Sequence, residues 1–212
     1  MMKNLPQIMP VFPLEGTVMF PNTYLPLNIF EPRYLKMIDY SMSQKNRFIG
    51  MIQPKKTRDK DEDIDLYNVG CAGRIIKFEE TEDSRYLVTL KGVSRFNLLS
   101  NITNKDNFKE AKVSWNEFTE YLNQEGSKES FVSLKKALKD FFKLKKMKVN
   151  MEIIEACNDY NFVDQITMIC PLALEEKQLL LETKSITKRN NLLRSIIESY
   201  SSEQNITNTV KH

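Results

Sequence analysis

The sequence predicts an α+β fold: short strands in a strongly curved sheet or partly closed barrel with one early helix, then an all-helical half. Three observations carry this reading. Six of the eight prolines (Pro6, Pro10, Pro13, Pro21, Pro26 and Pro32) fall within the first 32 residues, and each fixes φ and removes a backbone donor, cutting the apolar N-terminal stretch into extended pieces and turns. Residues 47–115 alternate short apolar runs with glycines and polar turns, the pattern of closely spaced strands. Near residue 116 the apolar period changes from two to about 3.6 and stays there.

The elements follow in order. After the proline-broken strands, Phe30-Glu31-Pro32 makes a corner, and Pro32 suits the first helical position because its missing N–H would have had no partner there. Leu35, Ile38 and Met42, widened by Tyr34 and Met37, stripe the helix that follows. Arg47–Ile52 is a strand, residues 53–65 a solvated polar loop, and Tyr67–Phe78 a strand whose two glycines mark a bulge or a close backbone approach. The polar turn Glu80–Ser84 joins Ile76–Phe78 to Tyr86–Leu90 as a hairpin, Gly92 allows another tight reversal into Val93–Leu99, and Phe108–Trp115 is the last strand. Closure into a barrel would limit exposed edges.

The helical half begins with Phe131, Leu134, Leu138, Phe141 and Phe142 on one face of a helix whose other faces carry Lys135, Lys136, Lys139, Lys143 and Lys146. A shorter helix starts at Met151, Ile153 and Ile154 and ends near Cys157–Asp159. Phe162, Ile166 and Ile169 mark a third, stopped by Pro171, and Leu174–Thr183 a fourth. Ser185 is the expected N-cap of the last helix, striped by Leu192, Leu193, Ile196, Ile197 and Tyr200. The division expected is 1–117 for the barrel-like part, 118–201 for the helical part, and 202–212 as a disordered polar tail.

Composition narrows the chemistry. A chain of 212 residues with 41% hydrophobic and 28% charged residues is that of an ordinary soluble protein with a real core. It has no apolar run of membrane-spanning length and no uninterrupted signal-peptide core, so a cytoplasmic location is expected. Cys71, Cys157 and Cys170 form no C-x-x-C pair and read as reduced, buried thiols. The one histidine is the terminal His212, which leaves no Ser-His-Asp or Cys-His centre and no His-based zinc site. No G-x-x-x-x-G-K-[ST] string occurs, so the phosphate cradle of a P-loop is missing. Asp59, Asp61 and Asp63 imitate the opening of a calcium loop, but Ile64 and Gly70 stand where glycine and a bidentate glutamate are needed. No Ser–Lys pair is singled out. The chain reads as non-catalytic, with neither cofactor nor metal.

Two features suit binding. The lysine-rich helix, residues 128–148, reads first as the solvated face of an amphipathic helix. As an alternative it tracks phosphates, making the chain an RNA- or DNA-binding protein, although a net charge of +3 does not by itself argue for nucleic acid. The second feature is the early wealth of Met9, Phe12, Met19, Phe20, Tyr24 and Phe30, residue types that suit an adaptable apolar binding surface.

The opening also carries a resemblance. Phe12-Pro13-Leu14, Phe20-Pro21, Leu25-Pro26-Leu27 and Ile29-Phe30-Glu31-Pro32-Arg33-Tyr34 resemble the start of the Lon protease N-terminal domain. Val69-Gly70 with Gly73-Arg74-Ile75, and Tyr86–Gly92 followed by Arg95-Phe96, are similar to its strand signatures. Phe162-Val163-Asp164, Glu176–Gln178 with Leu180–Glu182, and Arg189 with Leu192-Leu193 resemble its closing helices. The resemblance implies a PUA-like pseudo-barrel with one helix joined to a helical bundle. It further implies a substrate-binding module without the ATPase and protease domains, a stand-alone relative that acts as an adaptor or chaperone-like factor in ATP-dependent proteolysis. The partners it implies are unfolded or exposed polypeptide segments, a protease or ATPase, and further copies of the chain in a homo-oligomer; nucleic acid and membrane are not expected. Phe20, Tyr24, Leu25, Leu27 and Phe30 are the candidate polypeptide-binding residues. Pro13, Leu14, Glu31, Pro32, Arg33, Tyr34, Gly70, Gly92, Arg95 and Phe96 are the motif residues expected to hold the fold.

Overall fold

The computed structural model describes residues 5–55, 65–119, 128–156 and 161–209. The chain divides into two compact units, residues 1–122 and 123–212. The first combines a mixed six-stranded sheet with helices, and the second is helical among the described residues, so the chain is α+β.

The strands of the first unit are β1 (Ile8–Pro13), β2 (Tyr24–Ile29), β3 (Phe48–Ile52), β4 (Val69–Glu80), β5 (Tyr86–Thr103) and β6 (Lys109–Ser114), with helices α1 (Pro32–Ser43) and α2 (Asn116–Thr119). Their order is β2-β5-β4-β3-β1-β6, and β5 pairs again with β6. Hydrogen bonding therefore returns on itself through β5, β4, β3, β1 and β6, which leaves those strands without a free edge along the ring. β2 lies outside the ring, bonded to the first part of β5 from Leu25↔Leu90 to Ile29↔Tyr86. β1 and β3 are parallel, and the other pairs are antiparallel.

β5 corrects one expectation. Gly92 does not reverse the chain; β5 runs through it unbroken for 18 residues. The register slips beside it, where Gly73 pairs with Gly92 but Ala72 pairs with Ser94, leaving Val93 as the extra residue of a bulge. A bulge bends a strand and raises its twist. The bend lets one strand serve β2 at its start and β6 at its end.

All five residues of β3 are buried, as a strand covered on both faces requires. One face of the sheet gathers Met9, Val11, Phe48, Ile52, Ala72, Phe96, Ala111, Val113 and Trp115 into a core cluster. On α1 the buried residues are Tyr34, Met37, Ile38 and Ser41, so the helix is turned slightly from the expected stripe, with Leu35 and Met42 half-buried at its margin. Pro32 opens α1, and the Glu31 carbonyl accepts the Tyr34 and Leu35 amides at 2.9 and 3.0 Å. Gln53 is buried, and its side-chain amide donates to the Leu14 carbonyl at 3.0 Å and to that of Thr17, tying down the turn after β1.

The second unit holds α3 (Lys128–Leu144), α4 (Met151–Ala156), α5 (Asn161–Ile169), α6 (Leu174–Glu182) and α7 (Ile186–Thr209). Phe131, Leu134, Leu138, Phe141 and Phe142 of α3 are buried, the expected stripe. Ile169, expected on the apolar face, is exposed; α5 instead buries Val163, Asp164 and Thr167 beside Phe162 and Ile166. The Ser185 hydroxyl accepts the Lys188 amide at 3.4 Å at the start of α7. Helical backbone continues through Thr209, into the stretch expected to fray after residue 201. Cys71 and Cys170 are buried; Cys157, the Asp59/Asp61/Asp63 run and His212 lie outside the described residues.

Candidate polypeptide-binding surface

The surface begins at a turn. Phe20, Pro21, Asn22 and Thr23 fold back so that the Phe20 carbonyl accepts the Thr23 hydroxyl at 2.6 Å. Pro21 pre-sets the second position of the turn and Asn22, at φ +57°, takes the left-handed third, a conformation Asn tolerates better than most residues. The turn is seated on β5: the Asn22 amide donates to the Gly92 carbonyl at 3.0 Å, and the Gly92 amide to the Thr23 carbonyl at 2.9 Å. A Cβ on Gly92 would lie 2.1 Å from the Phe20 carbonyl oxygen. Only glycine admits this approach, and the approach aims β2.

Along β2 exposure alternates. Tyr24, Pro26 and Asn28 face solvent; Leu25 and Leu27 are half-buried and Ile29 is buried. Tyr24 is 57% and Phe30 63% exposed, whereas Phe20 is completely buried. Phe20 is thereby removed from the candidate contact residues: it belongs to the core and could meet a partner only if the fold opened. The remaining four share one strand and the corner after it. On the neighbouring strands Leu87, paired with Asn28, and Phe78, paired with Val88, are also exposed. Cations stand at the two ends of the four, Lys91 with its ammonium 5.8 Å from the Tyr24 ring and Arg85 with its guanidinium 5.8 Å from the Phe30 ring.

At the corner Glu31 and Arg33 pair with each other at 2.9 Å, both about half-exposed, which makes the pair a surface contact of small energy. Arg33 also lies 4.5 Å over the Tyr34 ring. Tyr34 stacks against Phe12 at 4.4 Å, and burial pushes its hydroxyl pKa above the ordinary 10.0. Pro13 and Leu14 are half-buried where β1 ends. Gly70 lies so close to Phe96 and the Met51 carbonyl that an added Cβ would come within 2.5 and 2.6 Å of them. Phe96 is buried 6.0 Å from Trp115, and buried Arg95 lies 4.4 Å over Phe118. Of the motif residues, Tyr34, Gly70, Arg95 and Phe96 are buried, whereas Glu31, Pro32 and Arg33 lie at the surface of the corner.

The lysine helix is different in kind. Lys135 donates to the Glu155 carbonyl at 2.7 Å, and Lys145 sits 4.6 Å over the Tyr200 ring, so these two are tied to the fold. Lys136, Lys139, Lys143 and Lys146 are exposed. Among the described residues no group of three or more His, Cys, Asp or Glu could hold a metal ion, and no helix is long and apolar enough to cross a membrane.

Residues 8–199 match the model of the ATP-dependent protease La (LON) substrate-binding domain. The chain belongs to this family. Lon protease of Buchnera aphidicola subsp. Acyrthosiphon pisum (strain APS) is 27% identical, with 90% of this chain and 25% of the relative covered. Lon protease 1 of Syntrophobacter fumaroxidans is 28% identical, covering 96% of this chain and 26% of the relative. The chain thus spans about a quarter of the length of these curated relatives. Among solved structures, the N-terminal domain of Mycobacterium avium complex Lon protease superposes with a TM-score of 0.70 at 15% identity, covering 90% of this chain and 98% of that one. A Lon N-terminal domain protein from Xanthomonas campestris gives 0.67 at 18% identity, covering 89% and 97%. These two similarities speak to the fold.

What sequence reasoning missed is geometric. The Phe20–Gly92 approach joins residues far apart in the chain, and Gln53 carried no local signal. The alternation of β2 could have been read as period two, but Pro26 within it hides a strand.

Proposed function

We propose that the chain is a non-catalytic polypeptide-binding module, a PUA-like pseudo-barrel over residues 1–117 followed by a helical bundle over 118–201. It serves as an adaptor or chaperone-like factor that recruits unfolded or exposed polypeptide segments to ATP-dependent proteolysis in the cytoplasm. The observation that carries this is the exposed apolar row of Tyr24 and Phe30, with half-buried Leu25 and Leu27 between them, on the segment that also bears the family's opening motif. Exposed apolar side chains gathered on one edge strand and its corner suit an interaction site, and the aromatic ones are the type that dominates binding energy at interfaces. Membership of a substrate-binding family supports the same reading, as do the reduced buried thiols for a reducing compartment.

The test is equilibrium binding of the purified chain to a reduced, permanently unfolded model polypeptide by fluorescence anisotropy, with single-stranded RNA as the parallel ligand. Polypeptide binding that survives moderate salt and falls in Tyr24→Ser and Phe30→Ser supports the proposal. RNA binding that falls steeply with salt, without polypeptide binding, would replace it with the lysine-helix reading.

A further inference from the structure

β2 is bonded on one side only. It ends the sheet order next to β5, and the phase of that pairing is set where the Gly92 amide donates to the Thr23 carbonyl. In an antiparallel ladder bonded and non-bonded pairs alternate. Leu25, Leu27 and Ile29 therefore exchange bonds with β5, while Tyr24, Pro26 and Asn28 turn their backbone groups to the open edge. Pro26 agrees with this phase, because a proline has no N–H to give to β5. Among the described residues nothing else pairs with those outward groups. The side chains repeat the message: Leu25 and Leu27 lie opposite the buried Leu90 and Val88 yet stay half-exposed, because their cover stops at β2.

We propose that the open edge of β2 takes an extended polypeptide segment as an added strand, whose apolar side chains at alternate positions complete the cover over Leu25 and Leu27. The inference rests on the polypeptide-binding reading and specifies how the segment is held. Backbone bonds to Tyr24 and Asn28 supply sequence-independent affinity, and the two leucines, which share one face of the strand, select apolar side chains at every second position. Pro26 favours this occupant over a second copy of the chain. Two β2 edges pairing with each other would bring together two prolines and forfeit two donors, the device by which natural edge strands avoid self-association. A foreign strand meets only one missing donor.

The experiment uses the full chain, the unfolded model polypeptide, and a labelled peptide of alternating leucine and threonine with its backbone N-methylated on one or the other set of alternate residues. Methylation of the set facing the edge is expected to weaken binding by up to about tenfold per lost bond, and methylation of the other set to leave it unchanged. Asn28→Pro, which removes the second outward donor at a position where an edge strand tolerates proline, is expected to lower affinity for the unfolded polypeptide. Pro26→Ala, which restores a donor, is expected to raise it severalfold, and it keeps the test open should Asn28→Pro fail to fold. Equal binding of both methylated peptides together with indifference to Pro26→Ala would overturn strand addition and leave side-chain capture by the same patch. Sedimentation showing a dimer that Asn28→Pro dissolves would assign the edge to a second copy and overturn the proposal. Failure to bind the unfolded polypeptide at all would overturn the parent reading instead.

Discussion

Arg189 of α7 and Asp164 of α5 form an ion pair in which the two side chains are only 3% and 8% exposed. The Arg189 guanidinium also donates to the Thr183 carbonyl at 3.1 Å from one terminal nitrogen and at 3.3 Å from Nε. One side chain thus ties α7 to α5 and to the end of α6. Because two charges taken out of water must satisfy each other, removing either leaves the other uncompensated. Arg189→Met is expected to cost about 3–5 kcal/mol, read by urea denaturation. The double variant with Asp164→Leu should recover part of that loss, which a simple packing role for Arg189 would not allow.

Gly92→Ala places a methyl group against a backbone carbonyl, which cannot swing away as a side chain can. Loss of about 1–3 kcal/mol is expected. The turn that launches β2 should loosen with it, seen as faster amide exchange at Asn22 and Gly92.

Phe20 and Phe30 should separate stability from binding. Phe20→Ala, at a fully buried site, should destabilise by about 3–5 kcal/mol. Phe30→Ser, at a site 63% exposed, should change stability by less than about 0.5 kcal/mol while weakening polypeptide binding. A Phe30→Ser protein that binds as the wild type does would remove the corner from the surface.

Burial raises the Cys170 thiol pKa from 9.0 to about 12. The unfolded chain therefore releases this proton first, and the contribution of Cys170 to stability is present below about pH 9 and lost as pH rises toward 12. Burial lowers the pKa of nearby Lys177, which acts in the opposite sense below its ordinary value. Comparing wild type with Cys170→Ala isolates the thiol: the stability difference should shift in favour of the variant as pH rises above 9. A pH-independent difference would show that the thiol does not resist ionisation in the fold.

Lys136, Lys139, Lys143 and Lys146 replaced together by glutamate should leave polypeptide binding at moderate salt unaltered, since these side chains are exposed. The first three stand on α3 away from its buried stripe, and Lys146 lies in the turn after the helix, which ends at Leu144 and not at the expected 148. Loss of binding that tracks ionic strength would transfer the function to this helix.

The sequence by itself determined the α+β composition, the two halves, and most of the helices, because their signals are local: a period of two or of about 3.6, a proline at N1, an N-cap serine. Motif order along nearly the whole chain was enough to place it in the Lon substrate-binding family. Which aromatics are core and which are surface was decided only by the tertiary structure. Phe20 and Phe30 stand in equally apolar, proline-flanked contexts, yet one fills the interior and the other faces solvent. Burial depends on what the far ends of the chain bring alongside. The same holds for Gly92, whose local reading is a turn but whose place is fixed by the Phe20 carbonyl pressed against it. The second pairing of β5, with β6, leaves β2 as the strand outside the ring. No periodicity in β2 encodes its open edge, because an edge is defined by the neighbour a strand lacks.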